Sequence, residues 1–363
     1  MSHFFDPATG LVTSPDSKQA PDPTCAAVYH QYAIFAEHQY HAILKSPDVI
    51  RWKVYVDRKV QEIKQRQDQI LRTQAGSKEL RDLTLDQQKA NTILLEDKAL
   101  YQEFNGARDS FLEQAIDMYS RCLETSDAFD DDGAIRLCSL WFANFENLGL
   151  QDKIQVALSR VPSRKFVFLA HQISARLSKS RTPDPMKNQE NLQSLMIRMC
   201  EEHPFHSLYQ VYCLRPQSSS LTKRQSSRHD VSVSQSERGA AACDIFDRLR
   251  GDSSRGERVR AVECICDASI QWAQYPIKAE YKNKKSRGPF KVPENLLIRK
   301  LQNLPVPVVT VHTPLDPTLR YDNCVWIERY DATFETAGGI NLPKINICYG
   351  SDGEKYKQLV SLS

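Results

Sequence analysis

The residues whose types and spacing could do chemistry sit near the C-terminal end. In Thr336-Ala337-Gly338-Gly339-Ile340-Asn341-Leu342, two adjacent glycines stand between two short β-branched and aromatic runs. Glycine has no Cβ, so backbone N–H groups there can approach a phosphate closely. The same pair is also the ordinary make-up of a hairpin turn. Ser351-Asp352-Gly353 reads as the next such turn, with no chemistry of its own. His171, His203 and His206 are spaced along helical runs, where surface histidines or satisfied core histidines are expected. The acidic stretch SDAFDDDG lacks the ligand spacing of a calcium loop. It is read as a solvated turn that also places negative charge at the start of the following helix. Ten cysteines are spread along the chain with no C-x-x-C pair, and Cys264 and Cys266 form a C-x-C inside an apolar helical run. Free cysteines packed as small hydrophobes in a reducing compartment are expected, and no zinc site.

The elements that would position these residues change type along the chain. Its 363 residues are 41% apolar, enough for two domains or for a solenoid with a smaller unit. The formal net charge of +3 argues against a dedicated nucleic-acid surface. No apolar run reaches the roughly 18 residues that a membrane span needs. Residues 1–23 read as a flexible lead-in without the layout of a signal peptide. From 24 the pattern is helical. Trp52, Val56, Val60, Ile63 and Ile70 form one stripe. A second helix is expected near residue 80, and a third in ARDSFLEQAIDMYSRCLET, with Ser110 and Glu113 spaced as a capping box. IRLCSLWFANFENLG is apolar around most of its circumference and is expected between neighbours. Helices continue through KFVFLAHQISARL and NLQSLMIRMCEEHPFHSLYQVYCL, with Pro204 at a break. The fold class is thus mainly α, a solenoid of antiparallel helix pairs.

Eight serines in residues 216–240 leave little to bury, so a disordered insertion is expected there. Lys282, Lys284, Lys285, Arg287 and Lys291 make the most basic segment, read as a solvated linker. From about 301 the period becomes alternating, in VPVVTVHT, NCVWIERYDATF, INICYG and KYKQLV, which implies a partial antiparallel β-sheet.

Several of these stretches resemble a known family. FLEQAIDMYSRCLE, IRLCSLWFAN, EEHPFHSLYQV and RAVECICDASIQWA are similar to the FAT domain of the ATM family, within the phosphatidylinositol 3-kinase-related protein kinases. FETAGGINLPKINICYGSDGEKYKQLV resembles the start of that family's kinase domain. RLCSLW and AGGINLPKI point to the ATM branch, and the Ser-rich insertion to a fungal member. The resemblance divides the chain into a FAT-like helical domain over 24–300 and a truncated start of the kinase N-lobe over 301–363. It implies a serine/threonine protein kinase that phosphorylates Ser or Thr before Gln. This kinase would act in the nucleus, in the DNA-damage checkpoint and telomere maintenance. ATP and Mg would be the cofactors of the full-length protein, which would be a homodimer through its helical regions and would meet DNA-break sensor proteins. Ser234-Gln235 matches the target dipeptide.

By the same resemblance Thr336, Ala337, Gly338, Gly339, Ile340, Asn341 and Leu342 form the glycine-rich phosphate loop. The phosphate lysine would follow the strand begun by KYKQLV, where this chain has Ser361. Lys357 shares a strand face with position 361 but lies roughly 13 Å away, about twice a lysine's reach. No acidic partner for that lysine, catalytic loop or metal site follows. The chain alone is therefore expected to be inactive and to bind no cofactor, and the departure after Val360 to reflect a truncated gene model, an intron read through or a premature stop, ahead of a deliberately short isoform. A sheet with an exposed inner face and unpaired edges is expected to be poorly ordered. The alternative readings are a non-catalytic helical module that binds or competes with the full-length kinase, and an unrelated tetratricopeptide-like adaptor.

Overall fold

The computed structural model describes residues 4–5, 12–13, 23–73, 78–179, 187–216, 229–251, 256–276, 288–337 and 342–361. Within the expected lead-in, β1 (Phe4–Phe5) pairs antiparallel with β2 (Val12–Thr13). The chain folds as two compact units, Met1–Pro162 and Ser163–Ser363.

The first unit is helical: α1 (Pro23–Leu44), α2 (Pro47–Arg72), α3 (Lys78–Thr125), α4 (Asp130–Ala143) and α5 (Leu148–Arg160). The expected second and third helices are one helix of 48 residues. Ser110 lies inside it and accepts a hydrogen bond from Gln114 instead of capping anything. Gly106 disfavours the helix by about 1 kcal/mol. That is outweighed because α2 packs along α3, as does α1, whose Ala26, Ala33 and Ala36 are fully buried. Leu112, Ala115, Ile116, Tyr119, Cys122 and Leu123 are buried on α3. Of the α2 stripe only Val56 is buried. Trp52 and Lys59 both hydrogen-bond to Asp97 of α3, at 3.2 and 2.7 Å. The acidic turn does charge the first turn of α4. Burial pushes the Asp132 carboxyl up, but hydrogen bonds from Arg136 and His30 hold it below the usual range. Leu137, Cys138, Leu140 and Trp141 of α4 are buried while Ile135 is half-exposed, so its apolar circumference is only partly covered.

The second unit begins with a 3₁₀ turn (Ser163–Leu169) and the short α6 (Ala170–Ser174), where one helix was expected. Ser163 and Phe166, three residues apart, are both buried, the spacing of a 3₁₀ turn. Then come α7 (Lys187–Glu202), α8 (Pro204–Leu214), α9 (His229–Arg250) and α10 (Gly256–Gln274). Pro204 opens α8, as its missing N–H favours. The expected insertion over 216–240 is corrected at its end: residues 217–228 lie outside the described residues, but α9 begins at His229 and contains Ser234. Ala241, Ala242, Ile245 and Phe246 of α9 are buried, and that anchor extends the helix back into a polar segment. The buried Glu263 of α10 is held by Arg215 and Arg250.

Of the expected histidines, His171 is exposed, His203 is a satisfied core group and His206 is a satisfied, half-buried one. His203 is hydrogen-bonded to the Tyr321 hydroxyl at 2.7 Å, and His206 donates to the Thr313 carbonyl at 2.8 Å. Burial pushes the His203 ring down to about 4. The unfolded chain takes up that proton near pH 6.5 and the folded chain only near 4. Stability from this group is full above pH 6.5 and is lost as pH falls toward 4, by at most about 1.4 kcal/mol per pH unit. Urea midpoints at pH 7 and pH 5 are expected to differ more for the native chain than for His203→Gln.

The sheet follows: β3 (Phe290–Lys291), β4 (Gln302–Pro307), β5 (Trp326–Thr336), β6 (Lys344–Gly350) and β7 (Lys355–Val360). All pairings are antiparallel, in the order β3-β5-β6-β7, with β4 also on β5. The strand expected in VPVVTVHT ends at Pro307, and a turn follows. Of the basic segment, Lys291 is in β3, while Lys282, Lys284, Lys285 and Arg287 lie outside the described residues. The expectation of an unsupported sheet is corrected on one face. Ile327, Tyr330, Phe334 and Cys348 are buried, and Phe334 stands edge-on to Trp272 of α10, with ring centroids 4.9 Å apart.

Candidate functional site

β5 and β6 form the arms of the glycine-rich connection, and their alternation decides what each face presents. On β6, Lys344, Asn346, Cys348 and Gly350 are buried, while Ile345, Ile347 and Tyr349 are only half-buried. The apolar side chains thus point away from the helices, the reverse of the usual amphipathic strand. Across the ladder Ile345 pairs with Leu359, Ile347 with Lys357, and Tyr349 with Lys355. Leu359 is 64% exposed. This second face is apolar at the loop end and basic at the other, where the Arg329 guanidinium lies 3.6 Å from the Tyr349 ring centre.

The loop's rims are well defined. Thr336 pairs with Lys344, both buried, and the Ala337 N–H donates to the Pro343 carbonyl at 2.8 Å. Leu342 sits at φ +42°, a left-handed conformation that a non-glycine residue adopts only when its surroundings hold it. Of the seven expected loop residues, Thr336, Ala337 and Leu342 are therefore placed together at the base. Gly338, Gly339, Ile340 and Asn341 lie outside the described residues. Lys344 pairs with Val360, so Ser361 leaves β7 at the same end of the sheet as the loop. Lys355, Lys357 and Ser361 are exposed. Lys357 stands four residues back from position 361.

The β6–β7 connection is the hairpin expected at Ser351-Asp352-Gly353. Gly353 has φ +82°, and a Cβ on Gly350 would meet Val325, Tyr356 and Asp352 within 2.8 Å. Gly353 is favoured by its left-handed backbone and Gly350 by the side chains packed against it.

Behind the loop lies a polar cluster that sequence reasoning missed. The Lys344 ammonium donates to the Trp272 and Ala273 carbonyls at 2.8 and 3.0 Å. It also lies 5.0 Å from the Trp272 ring centre. The Trp272 indole donates to the Asn346 side-chain oxygen at 2.6 Å. Burial pushes the Lys344 ammonium down to about 8. The Tyr330 hydroxyl donates to Gln358, and the amide nitrogens of Asn346 and Gln358, paired across β6 and β7, are buried without a hydrogen-bond partner among the described residues. The one signal that could have found Lys344 is its place in KINICYG, where the inward positions are the polar ones.

Among the described residues the arrangement offers the base of a backbone turn and an uncovered face. Among the described residues no group of three or more His, Cys, Asp or Glu could hold a metal ion, and the Ala337 N–H is committed to Pro343. The donor set does not amount to an ATP–Mg site, and no chemical step is derived through one. No disulfide joins any of the ten cysteines, all of them described, and no described helix is long and apolar enough to cross a membrane.

No protein-family profile matches the chain. It is 30% identical over 345 residues to the serine/threonine-protein kinase TEL1 of Cryptococcus neoformans, covering 92% of this chain and 10% of that protein. It is 31% identical over 284 residues to the serine/threonine-protein kinase ATM of Arabidopsis thaliana, covering 77% of this chain and 7% of that one. The chain spans about a tenth of the length of the curated relatives it matches. Among solved structures it superposes on the FAT and kinase domain of CtTel1 with a TM-score of 0.71, covering 95% of this chain and 22% of that one. It matches a complete CtTel1 dimer with C2 symmetry equally well, at 0.71, over 95% of this chain and 12% of that chain. Both are 23% identical to it, so these matches speak to the fold alone.

Proposed function

We propose, from the premise that this chain belongs to the Tel1/ATM family of serine/threonine protein kinases, that it is the part of such a kinase joining the FAT helices to the catalytic N-lobe. Residues 24–300 are the FAT region and 301–363 the start of the kinase domain. The observation that carries this is the face inversion of β6. Ile345, Ile347 and Leu359 face away from the helices, next to the mouth of the glycine loop. An apolar face left open beside a backbone turn suits an adenine ring and its phosphates, with the rest of a lobe closing over it.

Residues 336–342 are assigned as the phosphate loop of the full-length kinase, which uses ATP and Mg to phosphorylate Ser or Thr before Gln. The setting is nuclear, in the DNA-damage response and at telomeres, with DNA-break sensors as partners of the whole protein. Within the 363 residues, Ser361 stands where the family's lysine does, so this chain alone transfers no phosphate. A transplant tests the assignment. A Tel1-family kinase whose matching segment is replaced by residues 24–360 of this chain, continuing in its own sequence, is expected to phosphorylate a Ser-Gln peptide. A folded chimera without ATP-dependent transfer would contradict it.

A second reading, a helical module that pairs with the full-length kinase, is favoured by one observation. Ile50 and Val54 of α2, with Ile93, Leu95, Leu100 and Phe104 of α3, are 47–68% exposed. Apolar side chains presented on a two-helix hairpin suit a further helix. Homodimerisation of the full-length protein through its helices is proposed on the same ground.

A further inference from the structure

The glycine loop is anchored through a residue that a strand of this kind has no structural need for. Lys344 is the first residue of β6 after the loop and is 4% exposed. Its ammonium meets two backbone carbonyls in the last turn of α10, where the helix dipole favours a cation, and the Trp272 carbonyl also accepts the Tyr275 N–H at 3.2 Å. Burial with no carboxylate beside it among the described residues is unfavourable for a cation, which agrees with the depressed ammonium pKa. An apolar side chain of similar length in that place would fill the same volume and remove the cost of burying the charge, which offsets part of the cost of carbonyls left unsatisfied. The two directed hydrogen bonds therefore contribute orientation more than stability.

The orientation concerns the loop. Thr336 and Lys344 are register partners, and Ala337 and Pro343 close the loop just beyond them. Trp272 touches both flanking strands: its ring packs on Phe334 of β5, its indole N–H bonds Asn346 of β6, and its carbonyl takes the Lys344 ammonium. We propose that Lys344 is a positioning residue that ties the base of the glycine loop to the C-terminal turn of α10. On this account the last FAT-region helix, and not the sheet alone, sets where the loop's base at Ala337 and Pro343 stands. Calling the loop phosphate-facing rests on the functional reading above, but the tether itself does not.

Hydrogen exchange on the 363-residue chain tests it without nucleotide. In Lys344→Met, amides of residues 337–342 are expected to exchange about tenfold faster than in the native chain, while the 351–354 hairpin is unchanged. Lys344→Arg, which keeps donors for the carbonyls, is expected to restore most of the protection. Unchanged exchange at 337–342 in the Met variant would overturn the proposal. So would acceleration spread evenly over the sheet, or a Met variant that does not fold, since either makes Lys344 a stability element. A chimera inactive with Lys344 intact would instead count against the kinase reading and leave the tether standing.

Discussion

The purified 363-residue chain, given ATP, Mg and a Ser-Gln peptide, is expected to transfer no phosphate. Kinases of ordinary efficiency turn over about 1–100 times per second, so the expected loss is at least on the order of 1,000-fold. The reason is electrostatic. Phosphoryl transfer proceeds through positioning and charge stabilisation, with a lysine on the phosphates and bound metal neutralising the developing charge. Ser361 stands beside the loop, one residue beyond the Lys344–Val360 pair, and has no cation to offer. Lys357 points to the correct face but lies about 13 Å away, roughly twice a lysine's reach. Turnover that co-purifies with the chain through repeated chromatography would contradict this.

Trp272→Ala is expected to destabilise the second unit by about 3–5 kcal/mol, the range for removing a fully buried aromatic ring. That is a large share of the 5–15 kcal/mol typical of a whole domain. The substitution empties the space between Tyr275 and Phe334 and leaves the Asn346 carboxamide without its remaining hydrogen bond. The sheet should therefore open before the helices do. Exchange protection in β5, β6 and β7 falls first, and the urea transition splits or shifts to lower concentration. Trp272→Phe keeps most of the ring volume and is expected to lose less than half as much. A Trp272→Ala chain that unfolds at the native midpoint would show that the sheet is seated by other contacts.

The sequence made the helices legible because their apolar positions recur at helical spacing. It misplaced their boundaries where packing overrides local punctuation. Gly106 and Ser110 look like a helix break and a new cap, yet α3 runs through both because α2 and α1 pack along it. The C-terminal half of the Ser-rich stretch is helical because its far end, from Ala241 onward, is anchored in the core. The strands were legible from their alternation, but the face of β6 was not. KINICYG would conventionally bury its isoleucines, and it buries Lys344, Asn346 and Cys348 instead. The Trp272–Asn346 bond joins residues 74 apart. No periodicity signals such a pairing. Residues 336–342 were read as a phosphate loop by resemblance alone, and the described residues include only their rims.

The measurement that tests the central claim most directly is the KM for ATP of the chimeric kinase carrying residues 24–360, with and without Gly339→Val. If residues 336–342 form the phosphate loop, a branched side chain there blocks the backbone's approach to the phosphates. The KM for ATP should then rise about tenfold or more while the KM for the Ser-Gln peptide stays within about twofold. Equal ATP constants for the two active, folded enzymes would contradict the account.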